Sequence, residues 1–199
     1  MPQTTRDADR TRGAILDAAE ALFAAQGYHP TSMAQIGERA GVSRGTPGYF
    51  FGSKETLYAA VLERCFSEAR DRVREGLRRA ANSGEPRETV LAGVVSDYFD
   101  YAWSHPDLVR LMHREALGEG PAATPVTFAL EVGAEVVSSL ANELGLSDSN
   151  ARQFALALLA LTWFPVIHRN TLVKGVGIDP DDRESLKLFA TGLLRGALG

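Results

Sequence analysis

The sequence predicts an all-α protein. Apolar residues recur at intervals of three and four in successive segments, which is the spacing of a buried helical face, and glycine, proline or asparagine separates these segments. No segment alternates apolar and polar residues over a useful length, so we predict no strand. With 199 residues, 45% of them hydrophobic and 23% charged, the chain can bury a core and fits one or two small domains.

The first helix is predicted from an apolar stripe that ends near Gly27. The residues of this stripe are Ile15, Leu16, Ala19, Leu22 and Phe23. Residues 1 to about 8 precede the helix and are expected to form a mobile arm.

Residues 31–55 predict two short helices joined by a tight turn. Ser32 and Gln35 have the spacing of a capping box, and Gly41 stands where a left-handed residue ends a helix. Ser43 is expected to cap the second helix. Helix, glycine turn and capped helix together indicate a helix-turn-helix.

The polar side chains of the second helix suit DNA better than a protein core. Arg44, Thr46 and Tyr49 are placed to reach base edges or phosphates. Lys54 follows the cap Ser53 at the start of the next helix, where a bound phosphate satisfies both a cation and the free amides. The predicted DNA-contacting residues are Thr31, Ser32, Ser43, Arg44, Gly45, Thr46, Tyr49 and Lys54. Arg6, Arg10 and Arg12 of the arm either touch phosphate or the minor groove or are simply solvated.

Residues 11–62 resemble the DNA-binding domain of the tetracycline-repressor (TetR) family. The matching positions, in register over about fifty residues, are Ile15 to Ala19, Leu22, Phe23, Gly27, Tyr28, Thr31, Ile36, Ala40 to Ser43, Gly45, Thr46, Phe51, Ser53 to Glu55 and Leu57. The resemblance covers the first third of the chain. It implies a homodimeric, all-helical bacterial transcription factor whose divergent C-terminal domain binds a small-molecule inducer.

One feature departs from the family pattern. Members commonly carry Leu-Tyr after the Gly-Thr pair, whereas this chain has Pro47 and Gly48 there and its tyrosine one place later, at Tyr49. Proline removes an amide and glycine adds backbone freedom, so we expect a short or irregular second helix. Tyr49 is the candidate for the phosphate contact that the missing tyrosine provides in the family.

The rest of the chain predicts a helical domain that binds an effector and dimerises. We divide the chain into a three-helix DNA-binding domain, residues 1–54, and this C-terminal domain, residues 55–199. Helices are predicted at residues 54–81, 87–104, 106–117, 125–144, 148–169 and 180–198, with a kink at Pro165 and a loop at 170–178.

The helix of residues 148–169 is apolar nearly all round, so another subunit is its natural cover. We therefore predict a homodimer built from residues 148–169 and 180–198 of each chain. Its dominant contacts are expected from Phe154, Leu158, Leu161, Phe189 and Leu193.

A surplus of large side chains predicts a mainly apolar effector cavity in the C-terminal domain. The predicted effector residues are Cys65, Phe66, Tyr98, Trp103, Met112, His113, Phe128, Trp163 and Phe164, with Tyr98 and His113 as orienting groups. Each of these residues also fits a plain role in the core.

Charge and motifs limit the classes of function. Residues 1–54 hold six Lys or Arg against five Asp or Glu, whereas the remainder holds 15 against 20, so the N-terminal part is the more basic. The single Cys65 leaves no internal disulfide. No nucleotide-binding glycine loop, nucleophile elbow or metal-ligand motif occurs, so we predict no catalytic residue, metal or cofactor.

The expected partners are a palindromic DNA duplex, a second copy of the chain and a small effector. A membrane is not expected, because the longest apolar run, residues 154–167, is shorter than the roughly 18 residues of a span, and the start of the chain does not resemble a signal peptide. The chain is therefore expected in the cytoplasm. Two alternatives to a repressor released by an effector stay open: a constitutive or architectural DNA-binding protein without an effector, and a small helical enzyme.

Overall fold

A computed structural model describes residues 3–121 and 126–198, and the side chains of residues 3–5, 80–81, 126–132 and 194–198 fall outside the description. The described residues form α-helices and one short π-helical segment, Arg169–Val173, without a strand, so the predicted all-α class is confirmed. The helices are α1 Gln3–Gln26, α2 Met33–Arg39, α3 Thr46–Phe51, α4 Lys54–Ala81, α5 Arg87–Ser104, α6 Pro106–Ala116, α7 Val126–Leu144, α8 Asp148–Ile167 and α9 Arg183–Leu198.

The predicted N-terminal arm is wrong, because α1 already begins at Gln3. No proline or glycine interrupts residues 3–12, and local contacts support the helix there. The Thr11 hydroxyl donates to the carbonyl oxygen of Asp7 at 2.8 Å, and Arg10 pairs with the Asp7 carboxylate at 3.3 Å. Arg6, Arg10 and Arg12 are therefore exposed on a helix rather than on a mobile tail.

The predicted loop at residues 170–178 is also wrong in its first half. The π-helical segment Arg169–Val173 follows α8, and a further helical turn includes residues 174 and 175. The last helix begins at Arg183, three residues later than predicted. Asp182 caps it by accepting the amide of Ser185 at 3.0 Å, while Asp179 accepts the amide of Asp181 in the turn before it.

The chain divides into two compact units. The first contains residues 1–65 and 110–125, and the second contains residues 66–109 and 126–199. The chain therefore passes from one unit to the other inside α4, inside α6 and after residue 125. The division of function at residue 54 stays a prediction.

The core of the first unit centres on three aromatic rings. Tyr58 packs edge to face against Phe23 at 5.0 Å and against Tyr28 at 5.1 Å between ring centroids. Side chains from α1, α2 and α4 complete this core: Ile15, Ala19, Ile36, Leu57 and Val61.

Polar contacts hold residues 110–120 within the first unit. Arg114 donates to the carbonyl oxygens of Ala24 at 3.1 Å and Ala25 at 3.3 Å, at the C-terminal end of α1, where carbonyls lack intrahelical partners. The Tyr58 hydroxyl donates to the Glu115 carboxylate at 2.7 Å. These contacts join residues distant in sequence, which explains why the unit includes a segment that follows α5.

In the second unit α5 packs against α8 and α9, and α7 packs against α8. Phe154 and Leu158 of α8 point into this core, each only 2% exposed. The prediction that they dominate contacts between subunits is therefore wrong. The exposed apolar residues of α8 are instead Leu156, Leu159 and Phe164, and those of α9 are Leu188, Phe189 and Leu193.

Helix α8 has the length and composition of a membrane span, whereas the apolar run of residues 154–167 was judged too short for one. It contains 20 residues with a mean hydropathy of 1.2, and a third of that window is buried inside the protein. Asp148 and Arg152 lie in its first two turns, and its buried face contributes to the core. A core helix with one uncovered apolar face accounts for the same properties.

Candidate nucleic-acid interface

The turn between α2 and α3 is built as the sequence predicts. The Gln35 amide donates to the Ser32 hydroxyl oxygen at 3.2 Å and the Ser32 amide to the Gln35 side chain at 2.8 Å, which is a capping box. Gly41 has a φ of 70°, and the Val42 amide donates to the Gly37 carbonyl oxygen at 2.9 Å. This hydrogen bond closes a Schellman motif that ends α2 and turns the chain.

Gly37 permits a close approach that the sequence analysis missed. A β-carbon at this position would lie 2.9 Å from the carbonyl oxygen of Ser43, 3.2 Å from the α-carbon of Arg44 and 3.3 Å from Pro47. The segment leading into α3 therefore rests directly on the backbone of α2. The sequence does carry a signal for this close approach. A glycine inside a predicted helix lowers the stability of that helix, so its presence there suggests that another segment packs against it.

Helix α3 is short, as Pro47 and Gly48 predict. It contains six residues, its N-cap is Gly45, and Pro47 occupies the first turn, where the missing amide is least costly. Ser43 does not cap it, so that prediction is wrong. The Ser43 hydroxyl instead lies 2.7 Å from the Thr46 hydroxyl, and the Ser43 carbonyl accepts the Thr46 amide at 3.0 Å, in a turn that precedes the helix.

Most of the predicted DNA-contacting residues share an exposed surface around α3. Ser32, Ser43, Arg44 and Gly45 are exposed and Thr46 is partly exposed. Tyr49 is 87% exposed, with its ring edge against Phe50 at 5.5 Å. On the opposite side of α3, Pro47 and Phe51 are buried. Hydroxyls, one guanidinium and one phenol therefore stand together in solvent, and such groups hydrogen-bond phosphates and base edges.

Thr31 departs from this set. Its side chain is 1% exposed, its hydroxyl donates to the Gly27 carbonyl at 2.7 Å and accepts from Gln26 at 3.0 Å. We therefore correct the prediction that the Thr31 side chain contacts DNA. Its hydroxyl joins the end of α1 to the segment before α2, where its hydrogen-bonding capacity is already used.

Lys54 has partners in the absence of DNA. Its ammonium group donates to the carbonyl oxygens of Thr31 at 2.9 Å and Tyr28 at 3.1 Å, with the His29 carbonyl at 3.4 Å, and lies 4.2 Å from the centre of the Tyr28 ring. The argument that this lysine needs a phosphate is therefore wrong, while a Lys54 contact with DNA stays a prediction. Ser53 caps α4 as predicted, accepting the Thr56 amide at 3.1 Å.

Tyr28 extends this arrangement to the next residue of α4. Its hydroxyl donates to the Glu55 carboxylate at 2.8 Å. Burial, with the Glu55 carboxylate adding to it, raises the pKa of Tyr28 to about 12, so the phenol keeps its hydrogen at neutral pH. The first turn of α4 is thus tied to the segment between α1 and α2 by two consecutive side chains.

Arg12 connects α1 to the recognition region. Its guanidinium lies 5.0 Å from the centre of the Phe51 ring, at the end of α3. A cation on α1 therefore stands beside the helix whose exposed face carries the predicted DNA contacts.

The predicted effector residues are divided between the two units. Cys65, Met112 and His113 belong to the first unit, and Cys65 and Met112 are buried there. Phe66, Tyr98, Trp103, Trp163 and Phe164 belong to the second, and the Phe128 side chain lies outside the described residues.

Within the second unit, Tyr98 and Trp163 of this set contact each other. The Trp163 indole donates to the Tyr98 hydroxyl oxygen at 3.3 Å. Trp103 stacks on Phe99 at 5.8 Å, with the Arg169 guanidinium 4.7 Å from its ring. Phe164 is 49% exposed and rests on His168, which corrects its assignment to an interior cavity. Phe164 follows Trp163 directly, so the two side chains leave the helix about 100° apart.

A cleft of about 240 Å³ occurs elsewhere in the second unit, between α4 and α5. It is lined by polar groups such as Arg79, Glu85 and Asp97 together with Val90 and Val94, and it contains none of the predicted effector residues. Arg79 pairs with Asp97 at 2.5 Å across it.

Comparisons with known proteins match the DNA-binding segment and most of the chain. The family model described as bacterial regulatory proteins, tetR family, matches residues 15–61. The HTH-type transcriptional activator FasR of Mycolicibacterium smegmatis is 32% identical over 156 residues, which cover 77% of this chain and 69% of that protein. The HTH-type transcriptional repressor NicS of Pseudomonas putida is 29% identical over 191 residues, 90% of this chain and 87% of that one.

Among solved structures, a TetR-like transcriptional regulator from Rhodococcus sp. RHA1 shares the fold. It superposes with a TM-score of 0.58 at 24% identity, covering 100% of this chain and 99% of the other.

The contact at Gly37 predicts that Gly37→Ala disrupts the recognition region. The added methyl group meets backbone atoms that cannot turn aside, so we expect a loss of about 1–3 kcal/mol in the free energy of unfolding and a larger loss of DNA binding. Gly48→Ala is the matched control, because a β-carbon there meets nothing within 4 Å beyond its chain neighbours and the backbone of its own helix, and alanine favours a helix by up to about 1 kcal/mol. Urea unfolding measures both variants, and equal stabilities would contradict the argument.

The contacts of Lys54 predict that Lys54→Met destabilises the protein without DNA present. Methionine keeps an unbranched apolar stem but removes the charged donor, so we expect a loss of about 1.5–3 kcal/mol. Arg44→Ala, at an exposed site, should change stability by less than about 0.5 kcal/mol. Thermal unfolding in DNA-free buffer provides the comparison, and an unchanged melting temperature for Lys54→Met would show that the three carbonyls do not need the ammonium.

Proposed function

Because this chain belongs to the tetR family of bacterial regulatory proteins and is a DNA-binding transcriptional regulator, we propose that it represses transcription as a homodimer on a palindromic operator. The observation that carries the proposal is the match over residues 15–61 together with the exposed polar surface around α3. In this proposal α3 enters the major groove, Arg44 reads a base edge, and Tyr49, Ser43 and Thr46 fix the register on phosphates.

A two-fold dimer places two copies of α3 about 34–36 Å apart on one face of the duplex, or farther on a longer operator. We propose that the exposed apolar faces of α8 and α9 form its interface. Leu156, Phe164, Leu188, Phe189 and Leu193 are each about half or more exposed in the protomer. A self-complementary apolar patch on two helices suits a four-helix bundle across a two-fold axis, in which each copy covers the other.

The second unit supplies the regulation in this proposal. A small, mainly apolar effector binds there and favours the arrangement that does not fit the operator. Only a difference in effector affinity between the two arrangements shifts the balance, and a tenfold loss of operator affinity requires about 1.4 kcal/mol of coupling. Helix α4 is the proposed path of this coupling, because it begins at Lys54 and continues into the second unit without a break.

The competing readings are less well supported. The family and the relatives named above are transcription regulators rather than enzymes. A constitutive regulator without an effector would bind its operator with the same affinity in the presence of every small molecule tested. The named relatives include an activator and a repressor, so repression itself is tested by transcription from the operator in vitro.

The exposed surface around α3 predicts base reading by Arg44. Against an operator selected from random duplexes, Arg44→Ala should cost roughly 1–3 kcal/mol of binding free energy and relax the preference at one position of each half-site. Arg74→Ala is the control, since Arg74 is a half-exposed arginine of α4 outside the proposed interface. Gel-shift titrations on operator and scrambled DNA measure both variants; a wild-type protein without any sequence preference would refute the proposal.

The exposed apolar face of α9 predicts that Leu193→Asp separates the dimer. Leu193 is 50% exposed in the protomer, so the carboxylate is tolerated there but costs several kcal/mol where two subunits bury it. Val176→Asp is the matched control, because Val176 is 73% exposed but lies outside α8 and α9. Sedimentation at micromolar concentration should give a folded monomer for Leu193→Asp and a dimer for the control. A wild-type monomer is the contrary result.

A further inference from the structure

The contact of α5 with α8 brings together two aromatic side chains that carry polar groups, the buried Tyr98 and the partly buried Trp163. Tyr98 on α5 is 3% exposed, and its hydroxyl oxygen lies 3.3 Å from the indole nitrogen of Trp163 on α8. On α5, the positions three and four residues away, Val94, Val95, Tyr101 and Ala102, are also buried. The pair therefore stands in an apolar setting within the second unit.

The direction of this hydrogen bond is fixed by chemistry. An indole N–H donates and cannot accept, so the Tyr98 oxygen is the acceptor. The hydrogen of the Tyr98 hydroxyl must then point to another atom, and among the residues that the structure describes none accepts it. Burial raises the pKa of Tyr98 to about 12, so this hydrogen is present at neutral pH.

Neighbouring hydroxyl groups, unlike that of Tyr98, have an acceptor for their hydrogen. The Tyr101 hydroxyl donates to the Glu68 carboxylate at 3.4 Å, and the buried Thr162 hydroxyl donates to the Leu158 carbonyl at 2.7 Å. A buried donor without an acceptor is unfavourable, because water that would have paired with it has been removed. An acceptor brought by a bound molecule removes that penalty and gains a hydrogen bond.

We propose that Tyr98 is the orienting donor of the effector site, and that the effector is a mainly apolar molecule with a neutral carbonyl oxygen, such as a ketone, ester or amide. The Trp163 indole holds the Tyr98 oxygen, which leaves the hydroxyl hydrogen to point at the carbonyl. This inference rests on the proposed effector-binding role of the second unit.

A neutral acceptor suits the site better than a carboxylate. Burying an ionised group requires a partner of opposite charge, and among the described residues no cation forms a hydrogen bond with the Tyr98 hydroxyl. The cations Arg183 and Lys187, which α9 contributes to the unit, already pair with Asp100. A carbonyl needs only the one hydrogen bond that Tyr98 offers.

The test uses two probes of similar shape, acetophenone and isopropylbenzene, which differ in the carbonyl oxygen. Calorimetry on the full-length protein should show that Tyr98→Phe weakens acetophenone binding about tenfold and changes isopropylbenzene binding by less than about twofold. Tyr101→Phe is the matched control, because it removes a hydroxyl from the same helix that already donates to Glu68. It should leave the affinity for both probes unchanged.

Infrared spectroscopy of carbonyl-labelled acetophenone provides a second readout that packing alone would not move. In the wild-type complex the carbonyl stretch should shift to lower frequency, as it does on accepting a phenol hydrogen bond, and in Tyr98→Phe it should return to the frequency found in an apolar solvent. An unshifted band in the wild-type complex would overturn the inference, as would equal weakening of both probes or the binding of neither.

Operator binding is measured separately, so that the inference and the proposed function fail in different ways. If acetophenone binds through Tyr98 but the operator affinity does not change, the Tyr98 site is supported and the proposed regulatory role is refuted. A wild-type protein without sequence-specific DNA binding would remove the proposed function whatever the probes do.

Discussion

The carbonyl groups at the end of α1 and in the segment after it organise the first unit. A helix leaves its last carbonyls without partners, and here side chains supply the donors, two of them from distant parts of the chain. Arg114 reaches Ala24 and Ala25, the Thr31 hydroxyl reaches Gly27, and Lys54 reaches Tyr28 and Thr31. The end of α1, the start of α4 and the end of α6 therefore all meet at this one stretch of backbone, which leads into α2.

The sequence correctly predicted the helix caps and turns whose hydrogen-bond partners lie within a few residues of each other. The capping box of Ser32 and Gln35, the left-handed Gly41 and the cap Ser53 all involve partners within five residues, and each is found as predicted. Lys54 was misjudged for the opposite reason, since its acceptors are backbone carbonyls 23 to 26 residues away. Thr31 was misjudged although its partners, the Gly27 carbonyl and the Gln26 side chain, lie within five residues. A buried threonine and an exposed one look alike when the neighbour that buries it lies in another helix.

Helix α8 shows why its faces were not predictable. Apolar residues surround it almost completely, so the sequence does not reveal which of them face the core. The structure assigns Phe154 and Leu158 to the core and leaves Leu156 and Leu159 outside. Leu156 lies two residues after Phe154, which is about 200° around the helix axis, and Leu159 lies one residue after Leu158, which is about 100°. The homodimer stays a prediction, in which Leu156, Leu159 and Phe164 replace Phe154 and Leu158 on α8, while the predicted Phe189 and Leu193 of α9 are exposed.

The short recognition helix α3 packs closely against α2 because residue 37, beneath it, has no side chain. Pro47 is buried at its first turn, and the absence of a side chain on Gly37 lets that turn approach the backbone of α2. The buried residues of α3 are Pro47 and Phe51, so the helix has little packing of its own. The guanidinium of Arg12, which lies against the Phe51 ring, adds one further contact. The helix is thus positioned mainly by what it rests on. Tyr49 takes little part in that packing: its ring contacts Phe50, yet the residue is 87% exposed and so available to a partner outside the protein.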